Sequence, residues 1–236
     1  MIERRPLSSL GHANHGWLNA YHHFSFASYS DPKRNSWGAL RVLNDDTIQP
    51  GTGFPMHPHS DMEIITYVRE GAITHQDNLG NTGKTLAGDV QVMSAGTGIR
   101  HSEFNLENNI TRIFQIWIIP DQPSGQPSWG AKPFPKGELS GQFITLASGF
   151  KEDTEALPIR ASARVSGATL NTGESVEYRF ADVNRLGYLV LAHGRVTVNG
   201  ISLDAQDGAA ISAEQSIVVV AQEPTEFVLV DVSAKR

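Results

Sequence analysis

Apolar residues along the chain fall in short runs rich in Val, Ile, Thr, Phe and Tyr, and 22 glycines and 12 prolines break them apart. No long stretch repeats with the period of a helix, so the predicted elements are strands. The segment "EIITYVREGAITHQDNLGN" reads as two strands joined at Glu70-Gly71, with a turn from Asn78 to Asn81. The segment "GYLVLAHGRVTVNGISL" repeats the design, with a turn at His193-Gly194 and a tight hairpin at Asn199-Gly200, a dipeptide suited to a two-residue turn. Near the end, "SIVVVAQ" and "TEFVLVDV" are apolar enough to be buried strands.

The stretch from Pro120 to Gly141 holds five prolines and reads as a connector between halves. An internal repeat supports that division. "REGAIT" followed by "AGDVQVMSA" in the first half corresponds to "AHGRVT" followed by "QDGAAISA" in the second. Gly71 to Gly88 spans 17 residues and Gly194 to Gly208 spans 14, a difference that one shorter hairpin absorbs. The expected fold is all-β: two antiparallel barrels in tandem, over residues 1–130 and 131–236.

Composition narrows the chemistry. With 236 residues, 39% hydrophobic and 19% charged, the chain can bury an ordinary core. Its net charge is −6 and its 19 Lys and Arg residues are scattered, which argues against nucleic-acid binding. The absence of cysteine excludes disulfides, thiolate zinc sites, iron–sulfur clusters and cysteine nucleophiles, so any metal must be held by histidine and carboxylate. No apolar leader opens the chain and no run approaches the ~20 apolar residues of a membrane helix, so a cytoplasmic location without membrane contact is expected.

Two short motifs carry the candidate chemistry. In "HPHSDMEI", His57 and His59 stand at positions i and i+2, which in a strand share a face about 6.6 Å apart. In "RHSEF", His101 and Glu103 repeat that spacing after the glycine-rich turn "SAGTGIR". Together the pairs offer three imidazoles and one carboxylate to a single ion and leave coordination positions open for substrate or oxygen. The competing reading makes these residues polar loop positions or hydrogen-bonded core histidines. Glu63 shares strand parity with His57 and His59 but lies about 13 Å beyond His59 along an ideal strand. That suits a carboxylate that orients a ligand or accepts a proton, or one that simply faces solvent.

The remaining histidines carry less. His12, His15, His22 and His23 are interleaved with aromatics in "GHANHGWLNAYHHFSF" and read as packing and hydrogen-bonding residues. His75 sits in a strand without a paired ligand, and His193 occupies a turn. Counting from the repeat's glycines places Phe180, Asp182, Ala221 and Glu223 where the first half has its four candidate ligands. Beyond His101 the chain has only His193, so a three-histidine site in the second half is impossible.

Three stretches, "HGWLNAYHHFSFASYSDP", "LRVLNDDTIQPGTGFPMHPHSDMEIITYVREGAITHQDNLGN" and "AGDVQVMSAGTGIRHSE", resemble the pirin family of the cupin superfamily, in particular its bacterial quercetin 2,3-dioxygenase-type members. The resemblance spans nearly the whole chain. It implies a bicupin, two jelly-roll-like barrels facing each other, with one metal in the N-terminal barrel. It places the ligands on His57, His59, His101 and Glu103, and leaves Glu63 beside the site without binding the ion. The implied cofactor is one divalent transition metal ion, iron ahead of nickel, cobalt, manganese, copper or zinc. The implied activity is opening of a flavonol ring by O2 with release of CO, in which Glu103 or Glu63 takes the substrate's proton. The implied partners are a small aromatic substrate and O2. The alternative implied by other pirins is a metal-binding regulator of a transcription factor or metabolic enzyme, which would add a protein partner.

Overall fold

The computed structural model describes residues 1–134 and 141–234. Its first strands are β1 (Ile2–Arg5), β2 (Gly11–Asn14), β3 (Leu18–His22), β4 (Leu40–Ile48), β5 (Thr52–His59) and β6 (Glu63–Glu70). They continue as β7 (Ala72–Asp77), β8 (Thr82–Leu86), β9 (Val90–Ser94), β10 (Ile99–Asn105), β11 (Thr111–Ile118) and β12 (Ser128–Lys132). The second half holds β13 (Ile144–Ser148), β14 (Leu157–Pro158), β15 (Ala163–Leu170), β16 (Ser175–Arg179) and β17 (Leu186–His193). It closes with β18 (Arg195–Val198), β19 (Ile201–Asp204), β20 (Gly208–Ile211), β21 (Ser216–Ala221) and β22 (Thr225–Val232). Among the described residues the only helical turn is the short 3-10 segment Leu7–Ser9.

Each half is a barrel of one seven-stranded and one four-stranded sheet. The orders are β12-β9-β6-β11-β4-β3-β2 with β5-β10-β7-β8, and β1-β20-β17-β22-β15-β13-β14 with β16-β21-β18-β19. The expected pair of antiparallel barrels is therefore present, and the two small sheets correspond strand for strand. The turn at Asn199-Gly200 joins β18 to β19 with φ of 45° and 84°, the double positive φ that a two-residue hairpin of this type demands. Gly71 and Gly194 occupy matching corners at φ 74° and 84°, where a Cβ would strike Thr111 and Thr225 respectively.

Alternation along the strands separates three layers of core. In β6, Ile64 and Thr66 face the barrel interior, whereas Ile65 and Tyr67 join the apolar layer between the barrels. That layer packs Leu43, Ile65, Phe114 and Ile116 of the first large sheet against Val165, Val190, Val228 and Val230 of the second. The second barrel's interior is filled by Leu189, Leu191, Val196, Phe227 and Leu229, with their neighbours. The first barrel has no such filling at its mouth. That difference locates the site.

Three details depart from the sequence expectations. β1 comes from the first residues yet pairs with β20, Ile2 opposite Ile211 and Arg5 opposite Gly208, so a boundary at residue 130 does not follow the sheets at either end. β12 lies inside the proposed connector: its prolines flank a strand that pairs with β9 as far as Lys132, and residues 135–140 of that connector lie outside the described residues. The repeat is also offset from the glycine count. Gly88 and Gln206 each take positive φ and donate their N–H to the residue three before the matching corner, Val68 and Leu191. Gln206, not Gly208, is the counterpart of Gly88. Counted from it, Val219 and Ala221 stand where the first barrel has His101 and Glu103, and both are buried in apolar core.

Candidate metal centre

β5 and β10 run antiparallel with His57 directly opposite His101 and His59 opposite Ile99. A bulge between His101 and Glu103 inserts one extra residue on the β5 side, so Phe54 lines the same cavity as His57 despite its odd spacing. Ring centroids of the three histidines lie 4.5 Å (His57–His101), 4.7 Å (His57–His59) and 5.0 Å (His59–His101) apart. One ring nitrogen from each lies within 4.8 Å of the others, a group able to hold a metal ion. His101 is buried; His57 and His59 are half-buried.

Hydrogen bonds leave the right atoms free. His57 Nδ1 lies 2.7 Å from the Pro55 carbonyl, to which it donates, so its Nε2 keeps a lone pair. His101 Nε2 is buried without any partner, a cost that a bound cation would remove. Burial, with His57 and His75 close by, lowers the His101 imidazole to about 3. Burial, with His101 and His57 adding to it, lowers His59 to about 4. Near neutral pH both rings are unprotonated, the form that ligates. The donor set fits a divalent transition metal.

Glu103 lies outside that group of three. Its carboxyl is buried and held by three donors: Thr66 Oγ1 (2.9 Å) and Gln91 Nε2 (2.6 Å) to Oε1, and Gln115 Nε2 (2.9 Å) to Oε2. It lines the same cavity as the histidines. Glu63 does not. Its Oε2 accepts from Ser94 Oγ at 2.6 Å and it lies beside Arg160 of the second half, while burial raises its carboxyl above the usual range. The parity argument for Glu63 fails because the chain turns after His59, with Asp61 at φ 47°, and passes from the small sheet to the large one. There Ile64 faces the cavity and Glu63 faces away.

His75, read as unpaired, is coupled to the site. Its ring is fully buried, stacks on Trp129 at 4.8 Å and donates through Nε2 to Asp77 Oδ2 at 3.0 Å. Its Nδ1 then faces His101 Nδ1 at 3.4 Å as acceptor, which leaves His101 Nε2 for an ion. Burial alone would raise Asp77, but hydrogen bonds from His75 and Asn81 and from backbone N–H groups hold it below its usual value. The signal was present in the sequence, because His75 and Asp77 share the i, i+2 spacing used for the ligand pairs.

The cavity before the histidines measures about 320 Å³. Leu18, Ala20, Phe54, Ile64 and Trp117 supply apolar walls, and Trp117 meets His59 edge-on at 4.9 Å. His22, Asn44, Asp46 and Gln115 interrupt them with polar groups. His22 Nδ1 pairs with Asn44 Oδ1 at 2.9 Å, and burial lowers its imidazole. Asp46 is raised well above the usual carboxyl range by burial, with Asp45 and Glu103 adding to it. Of the other N-terminal histidines, His12 pairs with Asn19 and stacks on Tyr21, and His23 pairs with Tyr188.

Comparison with known proteins matches residues 3–118 to the Pirin family model and residues 145–232 to the model of a quercetinase C-terminal cupin domain. A pirin-like protein of Caulobacter vibrioides is 66% identical over 98% of this chain and 99% of its own. The chain belongs to the pirin family. Among pirin relatives, a quercetin 2,3-dioxygenase of Escherichia coli is 40% identical over 98% of both chains. A solved bacterial pirin from Escherichia coli in complex with nickel(II) superposes with a TM-score of 0.92 at 39% identity, covering 99% of each chain. As in the pirin resemblance, the histidine group lies in the N-terminal barrel. Among the described residues no helix is long and apolar enough to cross a membrane.

Proposed function

We propose that the chain is a flavonol 2,3-dioxygenase that opens the central ring of a quercetin-like substrate with O2 and releases CO, with one divalent transition metal held by His57, His59, His101 and Glu103. The observation that carries this reading is the three-imidazole group at the inner wall of an apolar cavity. The relative named quercetin 2,3-dioxygenase and the nickel-bound pirin support it. When bound, the ion would supply Lewis-acid stabilisation of the substrate's deprotonated 3-hydroxyl. Iron heads the candidates, and the donor set suits nickel, cobalt, manganese, copper and zinc as well.

The chain's own groups divide the remaining work. Glu103 Oε1 accepts two hydrogen bonds and Oε2 one, so Oε2 retains a lone pair that can bind the ion or take the hydroxyl proton. Glu63, turned to the barrel interface, takes no part. Phe54, Ile64 and Trp117 hold a flat ring and exclude water, which strengthens every polar contact inside. The cavity is at the lower end of the ~300–1,000 Å³ of small-molecule sites.

The test is turnover. Protein reconstituted separately with Fe, Ni, Co, Mn, Cu and Zn is given quercetin, and oxygen uptake and carbon monoxide release are followed together. Equal consumption and release with at least one metal is expected. No turnover at full metal occupancy would overturn the reading. His101→Ala should lose both bound metal and activity, and activity retained in that variant would move the chemistry away from this cavity.

A further inference from the structure

Three residues that line the cavity each carry a buried side-chain atom without a hydrogen-bond partner: His101 Nε2, Trp117 Nε1 and Asp46 Oδ1. The first is answered by a metal ion. Neither of the others is placed to bind one: indole N–H is a donor only, and Asp46 lies outside the histidine group. Asp46 projects from β4 of the large sheet, between Ala20 of β3 and Ile113 of β11, so it enters the cavity from the sheet opposite the one carrying the three histidines. Two residues earlier on the same face, Asn44 also lines the cavity, but its Oδ1 is occupied by His22. Asp45, between them, faces the other way and pairs with Arg69 and Gln206. The fold thus satisfies one carboxyl of an adjacent pair and leaves an oxygen of the other without a partner.

A buried polar oxygen without a partner costs stability, and such a cost persists where the missing partner is a ligand. We propose that Asp46 anchors a second hydroxyl of the substrate, distinct from the one directed at the histidines, so that the site selects planar aromatic compounds carrying hydroxyls at two separated positions. The assignment rests on the flavonol reading of this cavity. It adds a specificity determinant that the metal group alone does not supply, since the histidines answer only one end of the ligand. Leu18, Ala20 and Phe54 offer that second hydroxyl no polar partner.

The experiment compares quercetin with 3-hydroxyflavone, which keeps the 3-hydroxyl and lacks the others. Both are titrated without oxygen into metal-loaded wild type, Asp46→Asn and Asp46→Ser, with binding read from the flavonol absorbance and metal content measured in each sample. Wild type should bind quercetin at least about tenfold more tightly, the worth of one hydrogen bond to a buried group. Asp46→Ser, whose shorter side chain withdraws the acceptor, should lose that preference while keeping its metal and its affinity for 3-hydroxyflavone, whereas Asp46→Asn, which keeps an acceptor oxygen in the same place, should retain most of it. A preference that survives in Asp46→Ser, or equal weakening of both ligands, overturns the role of Asp46. Wild type that binds neither compound instead overturns the flavonol reading and removes this assignment with it.

Discussion

His101 is oriented from behind. With Asp77 accepting from His75 Nε2, the His75 Nδ1 lone pair meets the His101 ring at 3.4 Å, and the tautomer that presents Nε2 to the cavity is favoured. Groups in this position usually tune metal affinity by ~10–100-fold. His75→Ala is expected to weaken metal binding by roughly that factor, and Asp77→Asn by less, in competition titrations against a chromophoric chelator. Unchanged affinity in both would reduce the pair to core packing against Trp129. At this scale the sequence was partly legible. The i, i+2 rule points to His57, His59 and His101, which form one group, and to Glu103, which lines the same cavity, because strand parity is local, and it applies equally to His75 and Asp77. It misplaces Glu63, since parity is lost when a turn moves the chain to another sheet. It is silent about Asp46, because the pair Asp45-Asp46 does not reveal which carboxyl faces the cavity.

Among the elements, β1 shows why local pattern has a limit. "IERR" has three charged residues in four, yet it closes the edge of the second barrel. Arg4 pairs with Asp207 at 2.6 Å and Asp204 at 2.9 Å, and Arg5 lies over the rings of Phe24, Trp37 and Tyr188 at 5.4–5.6 Å. Its partner strand is about two hundred residues away, a separation that no periodicity encodes. Removing residues 1–5 strips β20 of its outer ladder and leaves an open edge of the kind that pairs with other chains. The truncated protein should melt at lower temperature and elute larger as concentration rises. Melting curves and size-exclusion chromatography check this; an unchanged melting temperature would make β1 an ornament of the sheet. By contrast, the Asn199-Gly200 hairpin was readable because its turn chemistry lies wholly within two residues.

Across the whole molecule, the two large sheets meet back to back and a few buried polar pairs cross between them. Arg69 reaches Asp45 and the Ala192 carbonyl, Tyr67 pairs with Glu226, and His23 pairs with Tyr188 at 2.8 Å. This interface makes stability depend on pH with a definite sign. Burial, with Arg5, Arg34, His22 and Arg69 adding to it, lowers the His23 imidazole from 6.5 to about 3. Below pH 6.5 the unfolded chain takes a proton that the folded chain refuses. The His23 contribution to stability is therefore intact above that pH, declines as pH falls toward about 3, and levels off below. At pH 5 the loss is about 2 kcal/mol. Urea unfolding at pH 7 and pH 5, run on wild type and His23→Gln, isolates it, because His22, His59, His101 and the raised carboxyls of Asp45 and Asp46 titrate in both proteins and cancel. Wild type should lose more stability on acidification than the variant, by roughly that amount. Equal losses would mean that water reaches His23 between the barrels, and that the two halves are less tightly closed against each other than their shared apolar layer requires.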